Sequence, residues 1–144
     1  MTPRRQYKTH MPKNILVDLN VILDVLLERP GHRASQSVLE QQTSGCDLFI
    51  SSHMVTTFAY LLEYAKVPQA EIRRHVDWLL QTFSVVSTNA EILKDAVESH
   101  ISDYEDAVIE QAALACQASL IITRNIKDFR LSVVPATTPE SFVP

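Results

Sequence analysis

The chain alternates short apolar runs with stretches of helical spacing, and several runs pass into the next helix without a linker. "NILV" (14–17) is followed at once by "LNVILDVLLE", where Val21, Ile22, Val25 and Leu26 recur at helical spacing. After the turn "RPGH" and a helix expected over residues 33–43, "CDLFIS" (46–51) leads straight into "SHMVTTFAYLLEYAK", with Ser51 or Ser52 as N-cap. Pro68 opens the helix "PQAEIRRHVDWLLQTF", "SVVS" reads as a strand, and Asn89 caps "NAEILKDAVESH". "DYEDAVIEQAALACQA" and "SLIIT" give the next helix and strand, and "LSVV" (131–134) a final strand. Strands joined through helices run parallel and are covered on both faces. The pattern therefore predicts an α/β fold with a central parallel sheet and right-handed crossovers.

A length of 144 residues and a hydrophobic content of 46% suit one compact domain, and exclude a disordered or fibrous chain. Residues 1–13 carry Arg4, Arg5, Lys8 and Lys13 without an acid, which leaves the remainder, 14–144, at a net −8. The division is thus a basic tail, 1–13, and one acidic domain, 14–144. No apolar run approaches the roughly 20 residues that span a bilayer, and the N-terminus lacks the apolar core of a signal peptide, so a cytoplasmic location away from membranes is expected. Cys46 and Cys116 are isolated and have no partner at zinc-ligand spacing. With Gly31 and Gly45 the only glycines, a dinucleotide fingerprint, a phosphate loop and a nucleophile elbow are all absent. The five histidines share no ligand spacing and read as surface or capping residues.

In an open parallel sheet, sites lie beyond the carboxyl ends of the strands. That rule selects Asp18 after the first strand, Asp128 just past "SLIIT", and Asp103 and Asp106 at the start of the helix feeding that strand. Asp103 and Asp106, three apart, share a helix face, and the stretch "DYED" sets three acids within four positions. Each acid alone has a plain explanation as an N-cap, a favourable dipole charge or a solvated loop residue. Gathered at one sheet edge, they would raise one another's pKa unless a cation compensated them. Oxygen-only ligands match a hard divalent ion, Mg2+ or Mn2+, and such an ion suits phosphodiester hydrolysis.

"ILVDLNVILDVLLER", "DYEDAVIEQAALA" and "LIITRNIKDF", in this order, resemble the PIN-domain family, which includes the VapC-type ribonuclease toxins. The resemblance runs from about Asn14 to Phe142. It implies a three-layer α/β/α fold with a central parallel sheet and a Mg2+- or Mn2+-dependent nuclease acting on single-stranded RNA. It further implies a homodimer and an antitoxin protein as partner. Carried over by position, Asp18, Asp106 and Asp128 are the catalytic and metal-binding acids, with Asp103 as a further metal ligand. Asn20, Thr123 and Asn125 are supporting residues, and Arg124 and Lys127 stand where substrate phosphates would pass.

Two departures from the family pattern qualify this reading. Leu19 replaces a hydroxyl residue between Asp18 and Asn20, and Thr56 or Thr57 stands where many members carry a glutamate early in the helix after the second strand. The alternative is therefore a weakly active or inactive PIN module that binds RNA or a protein partner. A receiver domain is excluded by the lack of an acceptor aspartate in "SVVSTNA".

Overall fold

The computed structural model describes residues 14–142, so the basic tail lies outside the described residues. In chain order the elements are β1 (Asn14–Val17), α1 (Leu19–Leu27), α2 (His32–Leu39), β2 (Asp47–Ser51), α3 (Ser52–Tyr64) and α4 (Gln69–Thr82). There follow β3 (Ser84–Val86), α5 (Ala90–Val97), α6 (Tyr104–Ala115), β4 (Leu120–Ile122) and β5 (Ala136–Thr137). The strand order is β3-β2-β1-β4-β5 and every pair is parallel. Consecutive side chains of a strand face opposite sides of a sheet, and Ile15, Leu16 and Val17 are all fully buried. Both faces of β1 are therefore covered by helices, as the three-layer α/β/α expectation requires.

The apolar pattern sets the helix placement. In α6 the buried series Ala107, Val108, Ile109, Ala112 and Ala113 is rich in small side chains, which lets the helix lie close against β1, β4 and α5. Asn89 caps α5 by accepting from the Ile92 amide at 2.9 Å. Among the described residues no helix is long and apolar enough to cross a membrane.

Two expected elements change. The helix expected over 33–43 stops as α2 at Leu39 and tightens into a 3-10 turn, Glu40–Ser44, ended by Gly45 at φ 92°. The strand expected at "LSVV" is not one: the Val133 amide donates to Glu110 Oε2 at 2.9 Å and the Val134 amide to Ser132 Oγ at 3.1 Å, so neither can join a ladder. The sheet instead resumes at Pro135, whose carbonyl accepts from Ile121, and runs through β5. Glu110, only 2% exposed, also accepts from Ser99 Oγ at 2.7 Å and thereby ties both the α5–α6 loop and this turn to α6.

A buried ion-pair cluster fixes the loop after β4. Asp24 on α1 is 4% exposed and pairs with Arg124 Nε at 2.6 Å and Arg29 Nε at 3.0 Å, while Ser35 Oγ donates to it at 3.1 Å. The Arg124 guanidinium also donates to the Gly31 carbonyl at 2.9 Å and to the Glu140 carboxylate. Gly31 (φ 88°) is required here, because a Cβ on it would lie 2.7 Å from Arg124 Nη2. Breaking a buried pair by removing one partner leaves an uncompensated charge. Arg124→Ala should lower unfolding free energy by about 2–3 kcal/mol in urea titration, with Arg29 still holding part of Asp24. Arg124→Lys should recover little, since a compact ammonium cannot span acceptors placed on different sides of a planar guanidinium fork. A loss within the roughly 0.5 kcal/mol typical of surface changes would show that the cluster contributes nothing.

Candidate active site

The strand order reverses where β1 meets β4, and the carboxyl ends of these two strands meet at Asp18 and Thr123. Asp18 is the N-cap of α1. Its Oδ1 accepts from the Leu19 amide at 2.8 Å and its Oδ2 from Thr123 Oγ1 at 2.8 Å. Thr123, fully buried, also accepts the Asn125 amide at 3.0 Å. This hydroxyl therefore does more than end a strand: it aligns the loop that carries Asn125 and Asp128 on the carboxylate of Asp18.

Asp106 sits in the first turn of α6 and is 8% exposed. Its amide donates to Oδ1 of the exposed N-cap residue Asp103 at 3.0 Å, and its own carboxylate has no protein donor among the described residues. Burial raises the Asp106 pKa from the ordinary 3.8 to about 7, and the charges of Asp103, Glu105, Asp18 and Asp128 add to that rise. Burial likewise lifts Asp18 to about 6, with Glu105 adding to the rise, while the hydrogen bonds from Thr123 and Leu19 and the nearby His53 pull it back. The acids selected from the sequence thus act on one another across the same sheet edge.

The other residues selected from the sequence, Thr123 apart, line two depressions near these acids. Asn20, Asn125 and Arg124 line an open one of about 390 Å³ together with Asp24, Arg29 and Pro30. There both arginines are paired to Asp24, and Arg29 Nη2 donates to the Asn20 carbonyl at 2.9 Å. Asp103, Lys127 and Asp128 line the other, of about 350 Å³.

His53 does not keep the surface or capping role that its sequence context suggests. Its Nδ1 lies 2.6 Å from Ser51 Oγ, and its buried Nε2 lies 3.5 Å from Glu105 Oε2 with no hydrogen-bond partner. Ser51 holds the N-cap place of α3 but makes no side-chain cap bond, and Ser52 Oγ accepts the Thr88 amide at 2.8 Å. Both Thr56 and Thr57 are exposed, and each donates its hydroxyl to the His53 carbonyl at 3.0 Å. The helix thus presents no inward–outward contrast at these two positions, and the α3 group that reaches α6 is His53. The one sequence signal for it is its place directly after a strand's carboxyl end.

The carboxylates around Asp18 and Asp106 are crowded oxygen donors of the kind a hard divalent cation takes. Among the described residues no three His, Cys, Asp or Glu side chains form a ready metal cage. Mg2+-type binding needs only one or two carboxylates, with waters in the other positions. The residues present fit such an ion.

Comparison with known proteins accords with this geometry. The family model of the PIN domain matches residues 14–127, and the chain belongs to that family. Its fold is similar to VapBC2 from Rickettsia felis, solved with a DNA fragment from its promoter (TM-score 0.69, 18% identity, covering 87% of this chain and 98% of that one). It is similar also to a toxin-antitoxin complex from Klebsiella pneumoniae (TM-score 0.67, 22% identity, 87% and 97% covered). A third similar structure is VapBC-1 from nontypeable Haemophilus influenzae (TM-score 0.67, 18% identity, 89% and 99% covered). A comparison with curated protein sequences finds no match.

The raised carboxyls make stability depend on pH in a definite direction. Between about pH 4 and pH 7 folded Asp106 keeps a proton that the unfolded chain has released, so the metal-free fold loses stability as pH rises through that window. Asp106→Asn removes the charge and should raise unfolding free energy at pH 8 by about 1–3 kcal/mol, with the gain vanishing near pH 4. Thermal unfolding of both proteins at the two pH values, in chelator, checks this. A destabilised variant at pH 8 would mean that Asp106 is not under strain.

Proposed function

We propose that this PIN domain is a Mg2+- or Mn2+-dependent endoribonuclease cleaving single-stranded RNA, and the toxin of a toxin-antitoxin pair. The observation that carries the reading is the convergence of buried Asp18 and Asp106 at the β1–β4 switch point, where burial and neighbouring carboxylates raise the Asp106 pKa to about 7. Charge crowded in this way costs stability unless a cation resides there. Asp18 and Asp106 are the principal ligands, with Asp128 and Asp103 completing the acidic rim. When bound, the ion supplies a water of lowered pKa and stabilises the leaving oxygen of the phosphodiester.

The chain's own residues provide position. Thr123 locks the Asp18 carboxylate on one side, leaving its remaining lone pairs for the site. Asn20 and Asn125 are the neutral supporting residues, lining the depression on the Arg124 side of the loop. Arg124, assigned from sequence to substrate, is occupied by Asp24, Glu140 and Gly31, and its part in this proposal is to hold the loop. Lys127 keeps its substrate-binding assignment, since it faces the cleft that contains Asp103 and Asp128.

The fold likeness to chains of VapBC complexes supports an antitoxin partner. An arginine from such a partner, set among the carboxylates, would replace the metal through charge-assisted hydrogen bonds. A homodimer and a cytoplasmic location belong to the same proposal. One observation favours the alternative, a weakly active or inactive module that binds RNA or protein: α3 offers exposed Thr56 and Thr57 and no acid at its start.

Cleavage of a labelled single-stranded RNA in Mg2+ or Mn2+ tests the assignment. Asp18→Asn and Asp106→Asn should each lower the rate at least 100-fold while the circular dichroism spectrum stays folded. Chelator-resistant cleavage persisting in both variants would sink the nuclease reading. No Mn2+ binding by the wild-type chain would favour the inactive module.

A further inference from the structure

We infer that RNA crosses the site on one side only, seating a single unpaired nucleotide in the cleft between the α5–α6 loop and the turn after β4, with its phosphate on Lys127 and Arg130. This rests on the nuclease reading and narrows it. The cleft is lined by His100, Ile101, Ser102 and Asp103 on one wall and by Lys127, Asp128, Arg130 and Leu131 on the other.

The two depressions beside the acids differ in one respect that matters to a polyanion. In the one holding Asn20 and Asn125, both cations are neutralised by Asp24, and Arg124 by Glu140 as well. In the other, Lys127 and Arg130 are exposed and make no side-chain ion pair or hydrogen bond among the described residues. Phosphate affinity depends on cations that are free to exchange counterions for phosphate. Only the second depression supplies them.

Local geometry sorts the second wall. Ile126–Phe129 is a 3-10 helix, in which residues three apart eclipse one another, and the Arg130 amide continues it by donating to the Lys127 carbonyl. Lys127 and Arg130 therefore form one ridge, and Asp128 and Leu131, the latter beyond the 3-10 helix, line the cleft as a second. The first ridge is cationic. The second runs from the acid toward an apolar side chain that is 64% exposed, opposite nearly buried Ile101. A nucleotide matches this order, with its phosphate on the cations and its base against Leu131. At about 350 Å³ the cleft lies at the small end of ligand sites and cannot admit a double helix. Access to the base face also requires an unpaired strand.

Fluorescence anisotropy tests this with the full chain in chelator, so that nothing is cleaved, and a labelled 12-nucleotide RNA over 25–200 mM salt. The double variant Lys127→Ala, Arg130→Ala should bind at least 10-fold more weakly at 50 mM salt. It should also flatten the slope of log K against log salt by about 1.4, at about 0.7 for each phosphate no longer neutralised. Leu131→Ala should weaken binding with an unchanged slope. The control Arg73→Ala, Arg74→Ala, on α4 outside the cleft, should change neither. Equal losses in the two double variants would reduce the effect to net charge and overturn the assignment. Equal affinity for the duplexed RNA would overturn the single-nucleotide fit. Tight RNA binding that ignores Lys127 and Arg130 rejects this cleft and leaves the nuclease reading to the cleavage assay. A wild-type chain that neither binds nor cleaves RNA removes both.

Discussion

The hydrogen-bonded pairing of β1 with β4 is the constraint on which the rest depends. Both strands are short, and their central residues, Ile15 to Val17 with Ile121 and Ile122, have no solvent exposure. Because the pair is parallel, both strands finish at the same edge. The residue after each is brought to the other: Asp18 and Thr123, more than a hundred positions apart in the chain, share a 2.8 Å hydrogen bond. Displacement of β4 by one residue would turn Thr123 to the other face and dissolve the site.

The acidic edge is a place where the fold carries an electrostatic cost. A buried carboxylate normally has a cation or several donors to hold it. Asp24 satisfies that rule, with two arginines and a serine hydroxyl about it. Asp106 does not: its neighbours are acids, and burial with their charge lifts its pKa to about 7. The contrast separates the two roles of buried aspartate in this domain. One anchors a loop, and the other stays uncompensated by any cation among the described residues.

The same division applies to the basic residues of "TRNIKDFR". Arg124 reaches inward across α1 and the Gly31 turn to the C-terminal segment, and by doing so sets the loop's course. Lys127 and Arg130 follow on a 3-10 turn whose rise carries them outward to the cleft wall. A planar, multidentate guanidinium suits the first task, which requires several acceptors to be bridged at once.

The sequence alone determined the class of fold and selected Asp18, Asp106 and Asp128 as candidate acids, for a physical reason. Strand and helix periodicities are local, and parallel connectivity places the carboxyl end of every strand at one edge, so the acids near that edge could be picked out as candidates from the sequence. What it left open depended on partners distant in the chain. "LSVV" has the composition of a strand, yet Glu110 on α6 takes its amide and the sheet begins two residues later. Arg124 and Lys127 look alike as loop cations, and only Asp24 and Glu140, from α1 and the C-terminal segment, show that the first is occupied. His53 has no spacing that marks it, and it meets Glu105 because α3 leaves the end of β2 while α6 runs toward the start of β4, which brings both helix N-termini to one sheet edge. Local pattern decided which elements form, whereas charge pairing and burial across the sheet edge decided which side chains remain free to act.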